Sequence, residues 1–208
     1  MIRNLYLSSM LIAISVATAY ANPRDDGFYT GISAGVIKLG GDSYEETSIS
    51  TGTSNTTTYK DVESSSLTLK IGYQHFKNNR VEIYRRRNDI DTDSGKVSSD
   101  TVGINYEWGF SSLTAPNNKK LLPYISFGYG KGSASTNSTR LKLVSTDASE
   151  VELGLGVHYQ IGRHLDTTIG YYHRSTSLDD NHIPTASNNF FDANATTNSI
   201  EAGVSYHF

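Results

Sequence analysis

Nine charged residues recur at alternate positions within otherwise apolar segments: Lys70, Arg80, Glu82, Glu107, Glu150, Glu152, Asp166, Arg174 and Glu201. Alternate residues of a strand share a face, so all nine fall opposite the Leu, Ile, Val and aromatic side chains of the same segments. Charges held on an enclosed face have to be paired, because an unpaired buried ion is strongly destabilising. Hairpin arithmetic supplies partners. If the turn at His75–Asn79 sets Gly72 opposite Arg80, Lys70 faces Glu82; if the turn at Gln160–Arg163 sets His158 opposite Asp166, Glu150 faces Arg174. Such pairs either plug an enclosed space or gate a narrow ion path through it.

Two further groupings carry possible chemistry. His173 and Ser175 flank Arg174, and a His beside a Ser can act as base to nucleophile. His173 shares its parity with Ile169 and Tyr171, which puts it on the apolar face; no acidic orienter is identifiable from spacing, and the bland alternative is an interfacial His beside a loop-start Ser. Asp89, Asp91 and Asp93 alternate, with Asp100 eleven residues beyond Asp89. That spacing is part of a calcium loop, but Ser94 stands where such a loop places Gly, so a solvated acidic loop is the alternative. No cofactor is implied.

The elements that would position these residues are eight segments of period two: Phe28–Lys38, Ser66–Gln74, Arg80–Arg87, Ser98–Trp108, Leu121–Lys131, Glu150–Tyr159, His164–Arg174 and Thr197–Phe208. Period two over such lengths predicts strands. A motif of apolar residue, Gly, apolar or aromatic residue recurs, as in Ile71-Gly72-Tyr73 and Leu155-Gly156-Val157, and the inward Gly leaves room for charged neighbours in a narrow barrel. Short connections (His75–Asn79, Gln160–Arg163) and the medium Gly109–Lys120 alternate with long polar ones at Leu39–Ser65, Asn88–Val97, Gly132–Ser149 and Ser175–Thr196. Transmembrane barrels have short turns on the periplasmic side and long loops outside. Phe28, Tyr73, Trp108, Tyr124, Tyr159 and Phe208 cluster where the periplasmic interface falls, the level amphipathic rings prefer.

The leading residues read as a secretory signal over 1–21: Arg3, an apolar stretch Leu5–Val16, and Ala19-Tyr20-Ala21 as a small-x-small cleavage site. The mature barrel domain is then 22–208. Without Arg3 it carries 17 of the 18 Lys+Arg against 21 Asp+Glu, a formal charge of −4, which does not suggest nucleic acid. There is no cysteine, so stability has to come from sheet closure and burial. Mean hydropathy is −0.41, as a membrane barrel allows because only every second strand residue meets lipid. A soluble lipocalin-like barrel would reverse the faces, and nine charges in its core argue against it. The expected fold is all-β, an eight-stranded antiparallel up-and-down transmembrane β-barrel.

The last segment, Ile200-Glu201-Ala202-Gly203-Val204-Ser205-Tyr206-His207-Phe208, resembles the assembly signal of bacterial outer-membrane barrels, with Val204, Tyr206 and Phe208 as its apolar set. Together with Asn79-Arg80-Val81-Glu82 and Leu122-Pro123-Tyr124-Ile125, the chain resembles the outer membrane protein β-barrel family, which groups with the outer membrane protein A transmembrane domain and the opacity-type surface antigens. The resemblance implies residence in the outer membrane and the label of porin family. The partners it implies are outer-membrane lipid and lipopolysaccharide, the barrel-assembly machinery, periplasmic chaperones, and a host or environmental ligand at the outer loops. The long Ser/Thr-rich first loop is an adhesive or antigenic surface, or merely mobile. His173-Arg174-Ser175 faintly resembles the His-x-Ser motif of outer-membrane lipid A deacylases; that family follows the Ser with Asn, and Thr176 stands here instead.

Overall fold

The computed structural model describes residues 26–39, 43–48, 53–58, 63–76, 78–92, 95–110, 113–114, 120–138, 145–179, 189–191 and 194–208. The expected signal over residues 1–21 lies outside the described residues. Eight long strands build one wall: β1 (Gly27–Leu39), β2 (Glu63–His75), β3 (Asn79–Thr92), β4 (Gly95–Gly109), β5 (Lys120–Ser138), β6 (Ser145–Gln160), β7 (Leu165–Asp179) and β8 (Asn194–His207). Each pairs antiparallel with the next, and β8 returns to β1 from Tyr29↔His207 to Leu39↔Thr197. The sheet is therefore closed, and the barrel has no free edge.

The cross-strand registers fix its shape. One row runs from Tyr29 through Gly72, Glu82, Asn105, Gly128, Glu152, Arg174 and Thr197, and comes back to β1 at Leu39, ten residues beyond its start at Tyr29. Eight strands with that stagger tilt by about 40° to the axis and enclose an interior that side chains can fill.

The faces settle the choice between membrane and soluble barrel. Ile32, Val36, Leu67, Ile71, Ile83, Val102, Ile104, Leu153, Leu155, Ile169 and Ile200 all point outward and are exposed, while the ionic side chains are enclosed. A soluble protein does not expose a continuous apolar belt of this size; hydrocarbon requires it.

Two features differ from the sequence expectation. The strands overrun the expected segments at the end away from the short turns: β3 reaches Thr92 and β4 starts at Gly95, so the expected loop Asn88–Val97 is mostly ladder, and β5, β6, β7 and β8 extend likewise. Beyond the apolar band both faces are polar, so period two vanishes although the ladder hydrogen bonds continue. Both short hairpins also close two residues tighter than the sequence arithmetic sets them: Gln74 pairs with Arg80, and Gln160 pairs with Asp166. Phe76, in the left-handed region with φ 49°, turns the first of them. A shift of two keeps every side chain on its face, so inside and outside stand while the directly facing residues move by two; Lys70 still reaches Glu82, but Glu150 no longer faces Arg174.

Glycine placement has a reason beyond room for charges. Among the described residues, all four buried lumen tyrosines face a glycine directly across the ladder: Tyr29 faces Gly72, Tyr84 faces Gly103, Tyr124 faces Gly156 and Tyr172 faces Gly154. A Cβ on Gly72 would lie 2.4 Å from Tyr29 Cζ. Each ring lies over a glycine backbone that would otherwise leave a gap. Gly72→Val is expected to displace Tyr29 and destabilise the barrel by about 1–3 kcal/mol through overpacking, read as a lower urea midpoint in lipid vesicles. An unchanged midpoint would mean the close contact carries no stability.

Candidate functional site

The lumen holds a network of ion pairs and hydrogen bonds. It divides into two ionic clusters joined by tyrosines. At the short-turn end lie Lys70, Arg80, Glu82, Glu107, His158, Asp166 and His207. Lys70 Nζ is 2.7 Å from Glu82 Oε1 and 3.9 Å from Glu107 Oε1. Glu82 also accepts from the Tyr29 hydroxyl at 2.6 Å and from Asn105 Nδ2 at 3.2 Å. Arg80 donates to Asp166 at 2.7 Å and to Gln74 at 3.2 Å, and its guanidinium lies over the Tyr29 ring. Asp166 is contacted in turn by His207 Nε2 at 2.8 Å.

The neighbours of His158 decide its tautomer. Arg80 Nη1 lies 3.1 Å from Nδ1, and a guanidinium can only donate, so Nδ1 carries the lone pair. The ring proton is then on Nε2, which donates to Glu107 Oε2 at 2.9 Å. Tyr124 stacks on this ring at 4.4 Å between centroids.

The second cluster lies further towards the long connections. Arg174 is fully buried and donates Nε to Glu152, Nη1 to Ser199 and Nη2 to Glu201, each at 2.5 Å. Arg86 donates Nη1 to Glu150 at 2.5 Å and Nε to Thr68 at 3.2 Å, and its Nη2 lies 2.6 Å from Glu152. Glu201 also accepts from Ser33 and Ser66. Arg86 and Arg174 lie over the Tyr84 and Tyr172 rings, and the Tyr172 hydroxyl meets that of Tyr124 at 2.8 Å, linking the clusters.

All nine charged residues singled out from the sequence lie buried on the inner face. Lys70 reaches Glu82 diagonally, since its direct partner is Tyr84. Arg174 pairs with Glu152 and Glu201, and Glu150 goes to Arg86 instead, because the tighter hairpin puts Glu152 opposite Arg174. Arg86 was missed. Its parity with Arg80, Glu82 and Tyr84 was the available signal, hidden by the run Arg85-Arg86-Arg87 in which its neighbours point outward.

The other candidates are not gathered into sites. His173 Nδ1 meets Asn198 Oδ1 at 2.9 Å on the outer wall, where the Tyr171 hydroxyl also bonds Asn198. Ser175 lies in β7 rather than at a loop start, and makes no hydrogen bond to His173. Asp89 accepts from Ser98 at 2.7 Å and sits 3.5 Å from Arg87 Nε; Asp91 is in the same strand, and Asp93 lies outside the described residues. No cluster of metal-ligating side chains occurs among the described residues.

Among the expected interfacial aromatics, Phe28, Tyr73 and Trp108 point outward, and the first two meet edge-on at 5.0 Å. Tyr124 does not belong to that set: its strand parity turns it into the lumen. In the last segment Val204 and Tyr206 face outward; Phe208 lies past the strand end, buried edge-on against Tyr206.

Arg174→Met is expected to leave Glu152 and Glu201 short of their shared cation and to destabilise by about 3–5 kcal/mol, measured as unfolding in vesicles. Adding Glu201→Gln to that variant should recover part of the loss. Equal stability of Arg174→Met and the unaltered chain would show that the network is slack.

The closed barrel has parallels. In overall shape the chain is similar to Neisserial surface protein A, at 17% identity over 88% of this chain and 97% of that one, with a TM-score of 0.60. It is also similar to the outer membrane protein AlkL studied in lipid bilayers, at 13% identity over 91% and 94% of the two chains, with a TM-score of 0.51. No curated protein sequence matches it. Residues 7–208 match the family described as outer membrane protein beta-barrel domain, and the chain belongs to that family and resides in the cell outer membrane.

Proposed function

We propose that this barrel is a sealed, non-enzymatic scaffold that presents its long connections at the cell surface for interaction with a host or environmental ligand. The observation that carries the reading is the filled lumen, where Arg86 and Arg174 tie Glu150, Glu152 and Glu201 across the interior from four different strands. The short strands Ser43–Ser48, Thr53–Thr58 and Asn189–Phe191 support display, because they pair into a small sheet that joins the first and last long connections. The bond of His173 Nδ1 to Asn198, in place of one to Ser175, supports a role other than lipid A hydrolysis. Residues 1–21 serve as the cleaved leader, which places Asn22 at the start of the mature chain; mass spectrometry of the protein from outer membranes is expected to find that terminus.

A narrow ion path is a second reading with one observation behind it. Tyr84 Oη, Asn105 Oδ1, Glu107 Oε1 and Ser126 Oγ are buried without a hydrogen-bond partner and offer oxygens to a passing cation. Each cluster sets two basic side chains against three carboxylates, which would favour cations. Planar-bilayer recordings separate the readings. The sealed scaffold gives no steady single-channel steps, while cation-selective steps that change with Glu107→Gln would establish the pore.

The chain has no cysteine, so single-site labelling can test display. A membrane-impermeant maleimide on intact cells is expected to label Thr56→Cys and not Asn78→Cys. Replacing residues 40–62 by a short Gly-Ser turn should abolish adhesion of the cells to host matrix. Adhesion that survives the replacement removes the first loop from the ligand site.

A further inference from the structure

The outer wall is not uniformly apolar. On β6 the outward positions Val157, Leu155, Leu153 and Val151 are all apolar. On β3 the outward series passes from Val81 and Ile83 directly to Arg85, Arg87 and Asp89. On β5 the outward series Ile125, Phe127 and Tyr129 ends at Lys131, which is exposed. A cation beside hydrocarbon extends its head to the nearest polar level, and these lie at the end of the barrel that faces outside in the proposed reading.

Strand tilt brings two of these cations to one depth. Arg87 pairs with Asp100, and Lys131 pairs with Val102 on the same strand, two residues nearer the short-turn end. Two strand spacings along a row tilted by about 40° climb roughly 6 Å, and two residues down the strand descend roughly 5 Å. The two Cα atoms are then about 12 Å apart, level within the membrane, on one side of the barrel. Both side chains are long enough to converge on one small anion.

Their electrostatic commitments differ from those of Arg85. Arg85 is held by both oxygens of Asp100, at 2.9 and 2.5 Å. Arg87 makes a 3.5 Å approach of Nε to Asp89 and a weaker attraction to Asp100 across the ladder, without the two-oxygen grip that holds Arg85, and its side chain is 64% exposed. Lys131 makes no ion pair among the described residues. The local carboxylates, Asp89 and Asp100, are already engaged by Ser98 and Arg85.

We propose that Arg87 and Lys131, with Arg85 beneath them, form a binding site on the barrel wall for a phosphate of an anionic outer-leaflet lipid. This rests on the outward orientation proposed above. A lipid phosphate suits the place because its acyl chains can lie along Val81, Ile83, Val102 and Tyr129 while its head meets the two cations. Asp100 keeps Arg85 from pointing an unpaired charge at hydrocarbon.

The test uses the full barrel in phosphatidylcholine vesicles with a minor fraction of diphosphoryl lipid A, then detergent extraction and measurement of lipid A retained per barrel. The unaltered chain should retain lipid A, and the pair Arg87→Gln, Lys131→Gln should reduce retention at least fivefold. Arg163→Gln, at an exposed position on a short turn, should retain it fully. Heat-modified gel mobility checks that each variant is folded. Equal retention by the double variant and the unaltered chain would overturn the site, as would no retention by the unaltered chain. Displacement by excess inorganic phosphate would assign the site to free phosphate and overturn the lipid proposal. If maleimide labelling succeeds while retention fails, only this inference falls; if labelling shows the opposite orientation, both fall.

Discussion

Backbone hydrogen bonding without water is the constraint on which this molecule depends. In hydrocarbon every N–H and C=O has to be satisfied by the chain itself, and a sheet can do that only by closing on itself. The ladder between β8 and β1, from Tyr29↔His207 to Leu39↔Thr197, is therefore the joint that makes the other seven ladders viable in a membrane. Closure also sets the stagger and tilt, and these decide which residues on distant strands share a level.

A closed wall with lipid outside turns the usual interior inside out. The enclosed volume is narrow and polar, and its side chains have to satisfy one another. Arginine does this best because its planar fork reaches several acceptors at once. Arg174 bonds Glu152, Ser199 and Glu201, and Arg86 bonds Thr68, Glu150 and Glu152. Each lies over a tyrosine, and each tyrosine lies over a glycine on the neighbouring strand. Charge, ring and glycine form a repeated three-level packing unit that fills the barrel without an apolar core.

The outer end follows different rules. Beyond the apolar band the strands keep their ladders but lose their facial pattern, so they rise past the membrane as a polar rim. Short strands from the first and last connections add a small sheet there. The wall below it carries a few exterior charges whose placement is asymmetric around the barrel. In the proposed reading, an ion-paired lumen beneath a polar rim suits display at the surface rather than passage through the interior.

Much of this was legible in the chain. Period two is a local property, so the eight strands and the enclosure of Lys70, Arg80, Glu82, Glu107, Glu150, Glu152, Asp166, Arg174 and Glu201 could be read residue by residue. A register error of two leaves that reading untouched, because it never moves a side chain to the other face. Partner identity is different. Whether Arg174 meets Glu150 or Glu152 depends on how tightly one turn closes, and whether Arg86 reaches Glu150 depends on two strands that meet only across the lumen. The strand ends beyond Arg87 and Arg174 were likewise hidden, since a ladder between two polar faces leaves no apolar alternation. The sequence by itself determined which side of each strand meets lipid; only the closed, staggered sheet decided which charges touch, because those distances belong to the barrel's circumference and tilt and to no single segment.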